Sequence, residues 1–216
     1  MNFVVAIDGP AGSGKGTVAK RIAQECNLTY IDTGAMYRAI AYASIKDNID
    51  INDEDKIIDL AKKYKIKFID GKTYLNSIDI SKEIRTMEVS SIVSPISSIV
   101  KLREILVDLQ REMAKNCNVI MEGRDITTVV FPNAKYKFYL DATIEERANR
   151  RYKENIEKGM NVSLEEIKKN IEKRDYNDMH REVGSLTRTP DSIYIDSTNL
   201  TIDEVVSKIK KIIEVK

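Results

Sequence analysis

An α/β fold on a five-stranded parallel sheet is what this sequence predicts. Three features predict it: short unbroken apolar runs, the helical periodicity that follows most of them, and glycine-rich or acidic turns at the junctions. The first run is Phe3–Ile7, closed by Asp8-Gly9-Pro10. A run without polar alternation marks a strand buried on both faces. Behind it, Val18, Ala19, Ile22, Ala23 and Cys26 recur at helical spacing. Leu28–Ile31 is a second strand, and Asp32-Thr33-Gly34 turns the chain into a second helix through Met36, Ile40 and Ala43. Strand and helix alternating over so few residues imply crossover connections, and hence parallel strands.

The pattern then changes. Asp53–Tyr64 reads as helix, while Lys65–Asp70, Thr73–Asn76 and Ser77–Ile80 are short alternating segments about the Asp70-Gly71-Lys72 turn, an insert beside the main sheet. Val89 to Lys115 carries one long helix or two, with Pro95 the expected boundary because the residue before a proline avoids the helical region. Asn118–Met121 and Tyr136–Leu140 are two further strands, and Thr143 to about Glu182 is charged and helical, interrupted at Gly159-Met160-Asn161. Ser192–Ile195 is the fifth strand. The final helix aligns Ile202, Val205, Val206, Ile209, Ile212 and Ile213 on one face, as core packing requires.

Across 216 residues, 35 Lys and Arg balance 34 Asp and Glu, so no global field recruits nucleic acid or an anionic membrane, and any basic site must be local. No stretch approaches the ~20 apolar residues of a membrane span. Cys26 and Cys117 match no zinc or redox spacing. The N-terminus runs into its first strand without a leader pattern. The expectation is a cytoplasmic protein with no nucleic-acid or membrane partner, and a monomer for want of a coiled-coil seam.

The strongest chemical signal is Gly9-Pro10-Ala11-Gly12-Ser13-Gly14-Lys15-Gly16-Thr17, between a predicted strand and a predicted helix. Glycines let backbone N–H groups converge on phosphate oxygens, and the helix N-terminus adds partial positive charge. Lys15 supplies a point charge to the β- and γ-phosphates of a bound nucleotide. In the general motif a hydroxyl residue directly follows the lysine and holds Mg²⁺. Here Gly16 intervenes, and Thr17 is the candidate Mg²⁺ ligand, directly or through water.

A donor loop does not specify an acceptor. Arg38, one turn into the second helix, sits near a strand's carboxyl end and could grip a phosphate, though alone it reads more readily as a surface arginine. Three further segments add to it: Glu83-Ile84-Arg85-Thr86; Glu122-Gly123-Arg124-Asp125 leading into Thr128-Val129-Val130-Phe131-Pro132; and Asp196-Ser197-Thr198-Asn199-Leu200. With the phosphate loop and Asp32-Thr33-Gly34-Ala35-Met36-Tyr37-Arg38, they resemble the bacterial cytidylate kinase family from end to end.

That resemblance implies a P-loop kinase, a three-layer α/β/α domain over 1–216. Its core would cover about 1–46, 90–146 and 170–216, with a nucleoside-monophosphate-binding insert at about 47–89 and a short lid at about 147–169. It implies phosphoryl transfer from ATP, with Mg²⁺, to CMP or dCMP. It assigns Ser94, Arg103 and Asp125 to the cytosine; Arg38, Arg124 and Arg85 to the acceptor phosphate; and Asp178, Arg181 and Arg174 to the ribose side, with Thr33 lining the same site. Read from the residues alone, Ser94 beside Pro95 could shape a helix start and Arg103 could pair with Glu104 or Asp108. Two departures stand out: Glu122 where the family often has Asp, and Thr127 where Gly is common.

Arg147, Arg150 and Arg151 share one helix face, as do Arg174, Asp178 and Arg181. Phosphoryl transfer needs cations about the moving group. Arg147 and Arg151 are the expected lid members, joining Lys15 and Arg124 as the catalytic set. His180 reads as a neutral passenger, since a phosphate acceptor needs no strong base. Two rivals remain: a small-metabolite kinase of the same fold, for shikimate or gluconate, and a nucleotide-dependent switch, for which a guanine-reading NKxD element is missing.

Overall fold

The computed structural model describes residues 2–157 and 159–213, so the outermost limits of the predicted domain and residue 158 of the predicted lid lie outside the described residues. In chain order the first half comprises β1 (Val4–Asp8), α1 (Lys15–Cys26), β2 (Thr29–Asp32), α2 (Thr33–Lys46), α3 (Glu54–Lys63), β3 (Ile66–Ile69), β4 (Lys72–Leu75), β5 (Ile78–Asp79) and α4 (Met87–Ile96). The second half comprises α5 (Val100–Met113), β6 (Val119–Gly123), β7 (Tyr136–Asp141), α6 (Ile144–Glu157), α7 (Leu164–His180), β8 (Ile193–Asp196) and α8 (Ile202–Ile212). A 3-10 turn at Glu83–Arg85 and a π-helical turn at Ile126–Val130 complete it.

The five predicted core strands form one sheet in the order β2-β6-β1-β7-β8, every neighbouring pair parallel. The central β1 is buried on both faces through Val5, Ala6 and Ile7, which is why it reads as an unbroken apolar run. α1 and α8 cover one face with Val18, Ile22, Val205 and Ile209; α5 and the π-helical turn cover the other with Val107, Ile126 and Val130. Register aligns Asp8 with Gly123 and Asp32 with Glu122, so β1, β2 and β6 end level. The carboxyl edge of such a sheet is where α/β folds bind ligands.

The insert is a separate antiparallel sheet, β3-β4-β5. It shares a core with α2, α3, α4 and α5, in which Ile40, Ile57, Leu75, Ile84, Ile96 and Leu102 are buried. The stretch from Val89 is two helices, but the break falls after Pro95. Pro95 lies in the last turn of α4, exposed, so the carbonyl it fails to bond can face water. Ser97 and Ser98 then close the helix by donating their hydroxyls to the Ser94 carbonyl at 2.9 and 3.2 Å. Reciprocal capping boxes, Ser163 with Glu166 and Thr201 with Glu204, set the starts of α7 and α8.

Candidate active site

The loop from Gly9 to Gly14 joins β1 to α1. Gly9 has φ +152°, and a Cβ there would strike the Leu140 carbonyl of β7, so only glycine lets the loop leave the sheet at this point. Gly14 is the N-cap of α1 and offers no side chain to the helix's first N–H groups, which stay available to an anion. Lys15 is buried and folds back over the loop, its Nζ donating to the Pro10 carbonyl at 2.7 Å and to Ser13 Oγ at 3.2 Å. Thr17 stands exposed one turn into the helix.

Two helices hold this loop from outside. Asp175 on α7 accepts from the Ala11 N–H at 3.0 Å, and Arg147 on α6 donates to the Ala11 carbonyl at 2.9 Å. Arg147 also pairs with Asp175 and donates to the Ala142 carbonyl at 2.9 Å. Arg147, expected as a lid member, is buried, with Nε and one terminal nitrogen engaged. Arg150 donates to Ser197 Oγ at 3.0 Å and to the Ser197 carbonyl at 2.6 Å, tying α6 to the loop after β8. Arg151 faces solvent, 3.0 Å from Glu154.

At the carboxyl ends of β2 and β6 a second set of charges gathers. Asp32 caps α2 by accepting from the Ala35 N–H at 2.8 Å, and its other oxygen lies 2.7 Å from Arg38 and 3.5 Å from Arg85. Thr33 donates to the Glu122 carbonyl at 2.8 Å. Asp178 takes Arg124 at 2.7 Å and Arg181 on its two oxygens, with Arg174 4.0 Å away. Arg103 pairs with Asp125 rather than with Glu104 or Asp108, donates to the Ser97 carbonyl at 2.8 Å and lies 5.3 Å over the Tyr37 ring. Both members of that pair are buried. Ser94 accepts from Asn177 of α7 at 3.3 Å.

These groups perturb one another. Burial first, then repulsion from Arg124, pulls Lys15 down to about 7. Burial, then repulsion from Asp32, pushes the Glu122 carboxyl up, and Tyr30 donates to it at 3.2 Å. Burial works against the charge of both Arg124 and Asp178. Their pairing outweighs it only together with the neighbouring charges, Glu122 and Asp175 for the arginine and Arg174 and Arg181 for the carboxyl, so the arginine is raised and the carboxyl held below its ordinary value. Among the described residues Arg38 Nε, Arg181 Nε and the Tyr37 hydroxyl are buried without a partner. Unsatisfied polar atoms are costly unless a ligand completes them.

The family model for cytidylate kinase matches residues 5–215. The chain belongs to that family. A cytidylate kinase from Leuconostoc mesenteroides is 49% identical over 99% of this chain and 97% of its own. One from Clostridioides difficile is 48% identical over 96% of each. A solved shikimate kinase from Bacteroides thetaiotaomicron covers 98% of each chain with a TM-score of 0.51 at 11% identity, a likeness of fold alone.

Three residues packed about these groups went unread in the sequence. Asp175 lay within a charged helical stretch whose pairs look like ordinary surface support. Asp8 passed as the end of a strand. Gly184 carried no motif, yet with φ +67° it packs so closely on Arg103 and Asp125 that a Cβ there would displace the pair. The face shared by Arg147, Arg150 and Arg151 was the one usable signal.

Proposed function

We propose that this chain transfers the γ-phosphoryl group of ATP to CMP or dCMP, giving ADP with CDP or dCDP. One observation carries the reading. On the Arg124-Asp125 turn, the first residue joins an arginine cluster suited to a phosphate and the next joins a buried polar pair suited to a base. Cytosine presents an N4 amine beside N3 and O2 acceptors, so the Asp125 carboxylate and the Arg103 guanidinium complement its edge, with Ser94 beside them. Arg38, Arg85 and Arg124 hold the acceptor phosphate; Arg174, Asp178 and Arg181 face the ribose; Thr33 braces the turn through Glu122. A kinase for shikimate would need no such base site.

On the donor side the Gly9–Thr17 loop cradles the phosphates and Lys15 exchanges the Pro10 carbonyl for them. Mg²⁺ keeps several waters and takes few protein oxygens besides phosphates. The Thr17 hydroxyl and Glu122, whose Oε1 would lie 2.9 Å from a Cβ at Gly16, would hold it. Bound there, it neutralises phosphate charge. The region 147–169 acts as a lid that excludes water. In it Arg151 swings toward the transferring group, and Arg147 supports that group through Ala11. The region 47–89 receives the monophosphate. No helix among the described residues is long and apolar enough to cross a membrane, and the reading is of a monomer in the cytoplasm.

The test is an acceptor panel of CMP, dCMP, UMP, AMP and shikimate with ATP and Mg²⁺. CMP and dCMP are expected to turn over fastest. A protein that makes no CDP, or that prefers shikimate, overturns the reading.

Lys15 predicts a pH dependence. With its pKa near 7 in the free protein, Lys15 is largely neutral at pH 8, and polyphosphate binding restores its proton. ATP affinity should therefore fall as pH rises above about 7. Calorimetric titration in two buffers of different ionisation heat should show uptake approaching one proton at pH 8 and little at pH 6. No uptake at pH 8 would contradict it.

A further inference from the structure

We propose that Asp8 is a positioning residue for acceptor-base recognition: its carboxylate caps the Ile126–Val130 turn from outside, which frees the Asp125 carboxylate for Arg103 and the base. The inference rests on the reading of Asp125 given above. An aspartate at the head of a helical turn ordinarily bends its carboxylate back onto the N–H groups two or three residues on. Asp125 occupies that position, with φ −138° and ψ 22°, and makes no such bond.

Of those donors, the Thr127 N–H is already taken by Asp8, which also holds the Ile126 N–H. Ile126 N–H donates to Asp8 Oδ1 at 3.0 Å, Thr127 N–H to Oδ2 at 2.7 Å, and the Thr127 hydroxyl to the same oxygen at 2.7 Å. The Asp125 backbone carbonyl closes the turn by accepting from the Val129 and Val130 N–H groups at 2.8 and 3.1 Å. Its side chain is left to face Arg103.

Asp8 itself is anchored. It ends β1, fully buried, with its backbone in register with Gly123 of β6 on one side and Tyr139 of β7 on the other. No cation pairs with its carboxylate among the described residues, and Asp125 repels it. Burial pushes this carboxyl up, against the pull of three hydrogen bonds. Asp8 holds its place through these bonds, because an apolar side chain of equal volume would leave the Ile126 and Thr127 N–H groups without acceptors. What it supplies is a fixed acceptor at the sheet edge that no apolar side chain could replace. Thr127 adds the third donor, so the branched residue at this position reinforces the turn where glycine would leave two bonds.

Two variants test this by steady-state kinetics with each substrate varied in turn. Asp8→Asn keeps the shape but offers one acceptor oxygen and turns an amide toward the N–H groups. It should raise KM for CMP tenfold or more, leave KM for ATP within about twofold, and narrow the preference for CMP over UMP, because a buried N–H left without its acceptor lets the turn shift. Thr127→Val keeps both N–H bonds, removes the third donor, and should raise KM for CMP about threefold with ATP unaffected. A parallel rise for both substrates in Asp8→Asn, or an unchanged KM for CMP in Thr127→Val, overturns the proposal. If Asp8→Asn does not fold, Thr127→Val decides alone. The wild type tests the site reading separately: failure to make CDP overturns that reading and this inference with it.

Discussion

Lys15→Met should remain folded and turn over at least about a hundredfold more slowly, the scale of losing one donor that stabilises developing charge. Methionine is unbranched, one atom shorter than lysine and uncharged, so it fits the same buried channel beneath the loop. The two acceptors it abandons are not stranded, because Ser13 Oγ still donates to the Pro10 carbonyl at 3.1 Å. Stability should not fall. Burial depresses the Lys15 pKa, so its charge costs stability below about pH 7, and the cost is relieved as pH rises toward the unfolded lysine value. At pH 6 the methionine variant should therefore melt no lower than the wild type. Turnover falls because the phosphoryl oxygens lose their nearest buried cation. Circular dichroism with a coupled ADP assay reads both, and a near-native rate would remove Lys15 from the mechanism.

Asp125→Ala carries the second large effect, on selectivity and stability together. It strands Arg103, whose side chain is 3% exposed, with only the Ser97 carbonyl as a hydrogen-bond acceptor. Removing one partner of a buried pair costs about 3–5 kcal/mol. For a chain of this size that lowers the melting midpoint by about 6 °C or more. With the carboxylate gone, nothing in the pair accepts from the cytosine amine, and preference for CMP over AMP should collapse while KM for ATP stays near the wild type. The double variant Asp125→Ala/Arg103→Met removes the stranded charge. It should regain much of the lost stability and none of the selectivity. If Asp125→Ala discriminates CMP from AMP as the wild type does, the base assignment is wrong.

Much of the fold was legible in advance because its signals are local. β1 shows as Phe3–Ile7, since a strand covered on both faces has no polar alternation. The phosphate loop shows because glycines, a lysine and a following helix must be contiguous to surround a phosphate. Pro95 misled slightly. A proline in the final exposed turn of α4 loses one hydrogen bond to water, so the helix ends after it and not before.

The pairings were less legible. Arg103 had nearby carboxylates at Glu104 and Asp108, and neither is its partner; Asp125, held by a different element, is. Arg147 reads as a lid cation by helix face and chemistry, yet helix packing sets it against Asp175 and the Ala11 carbonyl. The difference is burial: a guanidinium away from water needs acceptors close by, and packing decides which are in reach.

By itself, then, the sequence determined the order of strands and helices, the parallel sheet and the phosphate loop, each governed by residues within a turn or two of one another. Only the tertiary structure decided which carboxylate answers which guanidinium, and that Asp8, 117 positions before Asp125, caps the turn on which Asp125 stands. Charge pairing and capping act over about 3 Å in space and are indifferent to distance along the chain. They take shape only once the sheet has brought its strand ends together.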